Sequence, residues 1–449
     1  GWDFARTERE VLRLAPSMLA INAVYFWEHT PRLFDFLSRL RSAGFPGHVN
    51  LFGFFPTLAY RAILTDAPEV DSIVIGECEN TLVELAGRLS RREDWREVPG
   101  LAYRASGSVR TSSPRNPDVN LDRFPFPLRE EEIEGTVSVL AGRGCYNHCS
   151  FCPIPAFYGN GPLWRGRSAE NVLEELTHLV DRGARDFYFV DPNFVGPGKA
   201  GRDRIRHLAR LIQPLGITFG METRPNDLDK DLLECLVSAG LRSLLLGIES
   251  GSQSVLGRLH KSASRDSCER AIALCRSVGI EPEVGFIMFV PDSTIEDVEH
   301  NLEFLKRNRL LDRLDRTANL LCHSQIVLMG TSDYLRFSGQ GRLTATGPFG
   351  FEGEVSFTDE RVRLISELVG SACLSVLREM SRIDSPVYWR TCRDSSRYGA
   401  VNDYLVRLFD HWLRQARKTT SLPSVEVLKL DIERDLLEKI AQAGAQTDT

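Results

Sequence analysis

The chain has no apolar run approaching the roughly 20 residues that a membrane-spanning helix needs. It also lacks the charged start and apolar segment that direct secretion. No block of Lys and Arg is present: 55 basic residues are outnumbered by 61 acidic ones, for a net charge of -6. That balance argues against a nucleic-acid surface. No internal repeat or low-complexity tract appears. These absences point to a cytoplasmic globular protein with neither membrane nor nucleic acid among its partners. At 449 residues it is too long for one ordinary domain.

Cysteine is sparse and unevenly spread. The ten cysteines stand at 78, 145, 149, 152, 235, 268, 275, 322, 373 and 392. Most sit singly in apolar or helical context, where a thiol behaves as a small buried hydrophobe. A reducing compartment suits this pattern better than a disulfide framework. The exception is GRGCYNHCSFCPIP, which gathers Cys145, Cys149 and Cys152. Thiolates are soft ligands suited to iron–sulfur clusters and zinc. Three of them can hold three irons of a [4Fe–4S] cubane and leave the fourth iron open. A structural zinc site instead takes four ligands and favours two separated CxxC pairs. His148 is the available fourth donor, but it adjoins Cys149 and competes with it for geometry.

The chain alternates strand and helix signals, which predicts an α/β protein. Strands over Ser17–Tyr25, Val49–Phe54 and Ser72–Gly76, with helices over Pro31–Ser42 and Leu82–Leu89, predict a truncated Rossmann-like layer in residues 1–105. Residues 106–135 are rich in Ser, Pro and Asn and read as a linker. From residue 136 to 330 the alternation runs through six units, with TANLLCHSQIVL as the sixth strand. Six units imply an open, partial (β/α)6 barrel. Gly183, Gly216, Gly240 and Gly279 follow its helices as expected left-handed C-caps. Residues 331–449 are expected to form a mostly helical accessory cap, clearest over Arg361–Met380 and Asn402–Lys418. The cysteine loop follows the first barrel strand, at the mouth where barrel active sites assemble.

CxxxCxΦC with an aromatic at Phe151 resembles the signature of the radical S-adenosylmethionine (SAM) superfamily. PLWRGRSAENVLEEL, FYFVDPNF, METRPNDLDKDLLECLVSAGLRSLLLGIESGSQSVLGRLHK and GFIMFVPDSTIEDVEHNLEFL resemble its class that carries a cobalamin-binding domain. The resemblance implies a [4Fe–4S] cluster on Cys145, Cys149 and Cys152, with SAM on the open iron. It places Phe151 beside the adenine, and Arg165 and Arg167 just after the loop. Asp191 and Asn193 end the second barrel strand, Glu222 and Arg224 the third, and Glu249 and Ser250 the fourth. Ile287, in Gly285–Met288 of the fifth, offers backbone to adenine. Glu222, Glu249 and Asp191 are the candidate catalytic carboxylates. One charged residue at a strand end is as readily an ion pair, but their succession favours a ligand site.

PEVDSIVIGECENTLVELAGRL resembles the end of a cobalamin-binding domain, with Cys78 where the family has Gly. VNLFGFFPTLAYRAIL departs further. Phe54, Phe55 and Pro56 stand in a turn where a corrin needs close approach to the backbone. The DxHxxG loop is absent, His29 and His48 are the available imidazoles, and about one helix precedes the first strand. These departures argue for a degenerate domain and leave cobalamin doubtful. The resemblance then extends to the aminoglycoside radical SAM diol dehydratases of the apramycin pathway. It implies hydrogen abstraction by a 5′-deoxyadenosyl radical and radical dehydration (3′-deoxygenation) of an aminoglycoside such as paromamine, in antibiotic biosynthesis. A flavodoxin- or ferredoxin-type electron donor and an NADPH-dependent reductase would be partners. A cationic aminosugar needs carboxylates, and Asp292 and Glu352 join the three above. The alternative is a cobalamin-dependent radical SAM methyltransferase acting on a natural-product precursor. A non-catalytic iron–sulfur or zinc scaffold is the third reading.

Replacing one thiol tests the ligand assignment. Cys149→Ala should take up no intact cluster after anaerobic reconstitution and should not cleave SAM. Full iron content in that variant would place the ligands elsewhere.

Overall fold

Strand-forming runs near the N-terminus pair in chain order. In the computed structural model, which describes residues 3–129, 133–159, 164–388, 398–418 and 425–445, β1 (Met18–Asn22), β2 (His48–Phe52) and β3 (Ser72–Val74) are parallel neighbours. β4 (Leu101–Ala105) and β5 (Ser108–Thr111) extend this sheet antiparallel. β5 lies where the sequence reads as a linker. Ser106 and Gly107, with φ of 50° and 76°, make a two-residue turn of the primed type that hairpins favour.

The chain divides into two compact units. Unit 1 comprises Gly1–Pro125, Gly142–Arg167 and Ile326–Val355. It holds the first sheet and a hairpin in which Gly142–Gly144 pairs with Trp164–Gly166 around the cysteine loop. It also holds a small antiparallel sheet of Val327–Leu328, Glu352–Val355 and Leu343–Thr346. That sheet departs from the helical character expected after residue 330. Its Phe351 is buried with Phe34, Leu37, Leu51, Phe55 and Ile63 in one core. The three stretches are therefore held together by a shared apolar interior.

Unit 2 comprises Phe126–Ala141, Ser168–Gln325 and Ser356–Thr449. Its sheet holds five parallel strands in the order β10 (Glu283–Phe286), β9 (Leu241–Glu249), β8 (Thr218–Thr223), β7 (Asp186–Phe189) and β6 (Thr136–Val139). Strand periodicity sorts the two faces. Phe187, Phe189, Phe219, Met221, Leu244 and Leu246 are buried toward the helices. Tyr188, Glu222, Leu245, Gly247 and Gly285 alternate with them on the other face and are only half-buried. The expected sixth strand survives as a single parallel bridge between Phe289 and Ser324. The first half of TANLLCHSQIVL instead belongs to the helix Leu314–Cys322, which packs against helix Glu360–Ser381. Helices Gly399–Lys418 and Val425–Ala445 complete a helical C-terminal region. The architecture is α/β with a partial barrel.

The glycines expected to cap the barrel helices all have positive φ: 98° at Gly183, 61° at Gly216, 113° at Gly240 and 80° at Gly279. Their surroundings differ. A Cβ at Gly240 would lie 2.0 Å from the carbonyl oxygen of Ile217, whereas one at Gly279 meets nothing within 4 Å. Gly279→Ala should therefore cost only the left-handed backbone penalty of about 1–2 kcal/mol. Gly240→Ala adds a clash with fixed backbone and should cost about 3 kcal/mol or more. Denaturant melts of the two variants beside the parent would read the difference, and equal losses would contradict it.

Candidate functional site

In unit 1 the hairpin presents Cys145, Cys149 and Cys152 on one loop, all half-buried and none in a disulfide. The amide of Cys152 donates to the carbonyl of Cys149 at 3.1 Å, so the last two thiols flank a tight turn. Asn147, buried, donates its Nδ2 to Cys149 Sγ at 2.9 Å. Inside the turn, Ser150 donates its hydroxyl to Asp333 Oδ2 at 2.8 Å and accepts the Asp333 amide at 2.9 Å. Phe151 is half-buried and His148 exposed. Among the described residues no three His, Cys, Asp or Glu side chains converge closely enough to hold an ion, so the fit rests on chemistry. The donor set is three thiols outside any disulfide, and an N–H directed at a cysteine sulfur is a hydrogen bond that tunes clusters. That set suits an iron–sulfur cluster.

Arginines flank this loop, and the structure gives them partners. Arg165 is an almost fully buried guanidinium, paired with Glu77 and donating to the Asp118 carbonyl at 2.5 Å. Arg143 reaches Glu77 at 3.1 Å and Glu79 at 2.5 Å. Glu77 and Glu79 come from the GECE segment after β3. The acidic signature of the first sheet is thus neutralised by the cysteine hairpin. Arg165, expected near the cofactor, holds this junction. Arg167 is buried too.

The carboxyl edge of β1–β3 qualifies the expectation of a degenerate domain. Phe55 and Pro56 are buried, and Phe55 packs on Tyr25 and Phe351 within the core. Neither projects over the edge. Phe54 alone stays partly exposed, stacked on Phe157 with ring centroids 4.0 Å apart. Before it, Gly53 has φ 111° and its missing Cβ would stand 2.5 Å from Asn22 Oδ1, so the turn demands glycine. Beyond Gly76 a cavity of about 400 Å³ is lined by Asn80, Thr111, Ser112, Asn116 and Tyr158, among others. With Glu77, Glu79, Asp118 and Arg115 also in the lining, the cavity offers donors and acceptors suited to the carboxamides of a corrin edge. His48 lies at the opposite, amino end of β2, bonded to Ser72 Oγ at 2.7 Å, with burial holding its pKa down to about 4. His29 follows β1 on the carboxyl side and is exposed.

In unit 2 the expected strand-end residues separate into two kinds. Asn193 and Ser250 are fully buried and engaged. Asn193 donates to Asp227 at 2.8 Å and accepts the Gly196 amide; Ser250 donates to Asn301 at 2.6 Å. Through these bonds both brace the loops at the strand ends. Asp191 is 1% exposed and accepts the Ala141 amide at 2.9 Å. Arg224 is buried and donates to the Ser262 carbonyl at 3.2 Å. The Ile287 amide donates to the Glu249 carbonyl at 2.7 Å, so that donor is already used.

Glu222 and Glu249 are more accessible. Glu222 accepts a bond from Tyr188 at 3.2 Å. Burial pushes its carboxyl above the usual range, a shift the Tyr188 bond opposes. The Tyr188 phenol is pushed up to about 12 by burial and the adjacent carboxylate. Glu249 has φ 69°, a left-handed strand end, and pairs with buried Lys261 at 2.8 Å. Lys261, Tyr188, Asn147 and Asp333 escaped sequence reading; for Lys261, a lone cation twelve residues beyond Glu249 was the available signal. Asp292 lies in unit 2 and Glu352 in unit 1. Cys392 lies outside the described residues.

Residues 139–305 match the radical SAM superfamily. The matched stretch, which includes the three cysteines, is similar to that superfamily, for which a [4Fe–4S] cluster and SAM are the cofactors. An uncharacterized methyltransferase of Pyrococcus horikoshii is 29% identical over 263 residues, 57% of this chain and 56% of that protein. The chain spans about half the length of the curated relatives it matches. The fold is that of the cobalamin-dependent radical SAM enzyme OxsB, solved with aqua-cobalamin and SAM bound: TM-score 0.75 and 17% identity, over 100% of this chain and 74% of that one. The radical SAM methyltransferase TsrM of Kitasatospora setae, solved with cobalamin and a [4Fe–4S] cluster, gives TM-score 0.66 and 15% identity over 93% and 91%. These likenesses do not single out an aminoglycoside dehydratase. No helix among the described residues is long and apolar enough to cross a membrane.

Breaking the junction should be costly. Glu77→Gln leaves the buried Arg165 without its carboxylate, and such a loss costs about 3–5 kcal/mol. Thermal unfolding of the apo-chain should show a clear drop for Glu77→Gln and little change for exposed Glu93→Gln. Equal melting would mean that solvent compensates the arginine.

Proposed function

We propose that this chain is a cobalamin-dependent radical SAM methyltransferase acting on a small natural-product precursor. The observation that carries this reading is the composition of unit 1. Its Rossmann-like sheet and its cysteine loop belong to one compact body, joined through Glu77, Glu79, Arg143 and Arg165. A methyl carrier seated at the carboxyl edge of that sheet would lie in the same body as the cluster ligands. Support comes from relatives named as methyltransferases and from a fold shared with cobalamin-bound enzymes.

In this reading Cys145, Cys149 and Cys152 hold the cluster, which with bound SAM and an external electron of flavodoxin or ferredoxin type supplies a 5′-deoxyadenosyl radical. A corrin, when bound, supplies a transferable methyl group. The chain's own residues do the rest. Phe151 offers an apolar face beside the cluster loop, and Asn147 directs an N–H at a ligand sulfur. Gly76 and the amides and hydroxyls of the adjoining cavity offer donors to a polar macrocycle edge. On the half-buried barrel face Glu222, whose burial raises its pKa, is a carboxyl suited to proton transfer. Glu249, neutralised by Lys261, is suited to orient a hydroxyl or ammonium group.

Anaerobically reconstituted chain, incubated with hydroxocobalamin and desalted, should retain about one corrin per chain. With SAM and reductant it should yield both S-adenosylhomocysteine and 5′-deoxyadenosine. Absence of corrin, together with deoxyadenosine and no S-adenosylhomocysteine, would overturn the methyltransferase and favour a radical reaction without methyl transfer.

A further inference from the structure

The cysteine turn is held by a residue far along the chain. Ser150 lies between Cys149 and Phe151 and is 3% exposed; Asp333, 183 positions later, is 1% exposed. The two exchange a reciprocal pair of bonds. The Ser150 hydroxyl donates to Asp333 Oδ2 at 2.8 Å, and the Asp333 amide donates to the Ser150 carbonyl at 2.9 Å. Asp333 occupies the first turn of helix Ser332–Gly339, capped by Thr331. Its amide is one of those that a helix leaves without an intrahelical acceptor. Arg336, one turn on, donates from Nε and Nη2 to Asp333 Oδ1 at 3.1 Å each. One carboxylate therefore joins a guanidinium on its own helix to the hydroxyl inside the ligand turn.

We propose that Asp333 is a positioning residue for the cluster: it fixes the Ser150 turn so that Cys149 and Cys152 present their sulfurs in a set orientation. The inference rests on the cluster reading above and adds to it a partner outside the cysteine motif. Asp333 satisfies both the hydroxyl and the carbonyl of Ser150, so removing its carboxylate leaves the turn between two ligands held by the backbone bond alone. Groups behind the ligands of metal sites are typically worth about 10- to 100-fold in affinity. Such a residue acts on retention and electronic state of the cluster, not only on folding.

The test uses the full chain reconstituted anaerobically, as parent, Asp333→Ala, Asp333→Asn and Ser150→Ala. Three readouts are taken: iron release to a ferrous chelator, the electron paramagnetic resonance spectrum of the reduced cluster, and thermal unfolding of each apo-chain. Asp333→Ala should release iron about 10-fold faster or more, with an altered spectrum. Asp333→Asn, which keeps the amide and an acceptor for Ser150, should recover most of the loss. Ser150→Ala, which loses the hydroxyl bond but keeps Asp333 paired with Arg336, should fall between. Parent-like release and spectrum in folded Asp333→Ala would overturn the proposal. If Asp333→Ala fails to fold, parent-like behaviour of Ser150→Ala would overturn it instead. A parent chain that takes up no cluster would defeat the cluster reading itself, which separates the two failures.

Discussion

Four charged side chains tie the cysteine hairpin to the first sheet, and the arrangement of unit 1 depends on them. Arg165 is nearly enclosed, with Glu77 against it and the Tyr158 ring 5.7 Å away. Arg143 spans Glu77 and Glu79 and lies 5.1 Å from the Phe124 ring. Burying ions costs desolvation, so such a network is weak evidence of net stability. It does set register. The hairpin seats only where Arg165 meets Glu77 and Arg143 meets Glu77 and Glu79, and a slipped seating would strand a charge. The apolar core beneath is tolerant by comparison, because Phe55, Tyr25 and Phe351 bury area without a demanding direction.

The barrel face solves a related problem differently. Tyr188, Glu222 and Glu249 bring polar groups onto a sheet whose other side is packed with phenylalanine and leucine. Gly247 and Gly285 keep that face open: a Cβ at Gly247 would fall 2.9 Å from both Glu249 Oε1 and Lys261 Nζ. Glycine here makes room for a buried ion pair, and the left-handed backbone of Glu249 turns its carboxylate toward it. Strain of this sort in a residue other than glycine is usual at functional sites.

Much of this was readable from residue order. Period-two burial in Phe187–Phe189 and Phe219–Met221, glycine after four of the barrel helices, and the thiol spacing all act locally, so local sequence carries them. Misreadings arose where local signals are ambiguous. TANLLCHSQIVL mixes apolar and polar residues over a length that serves helix or strand alike, and packing against Glu360–Ser381 decided for helix. Ser106-Gly107 reads as a loop, yet it is the turn of a hairpin whose strands complete the first sheet. Phe54, Phe55 and Pro56 looked like obstruction because sequence shows bulk and not direction. The contacts of greatest interest, Glu77 with Arg165 and Ser150 with Asp333, join positions 88 and 183 apart. No periodicity encodes such pairs.

Unit 1 is discontinuous, and that bears on how the protein is made. Its last stretch ends at Val355, long after Pro125 has left the ribosome. At 5–20 residues per second the interval is roughly 10 to 50 s. Throughout it, the apolar surface that later receives Phe351 stays uncovered, and the three thiols wait without the carboxylate that braces their turn. The residues that complete the core and touch the ligand turn thus follow the cysteines in order of synthesis, and until they arrive that apolar surface is open to misassembly.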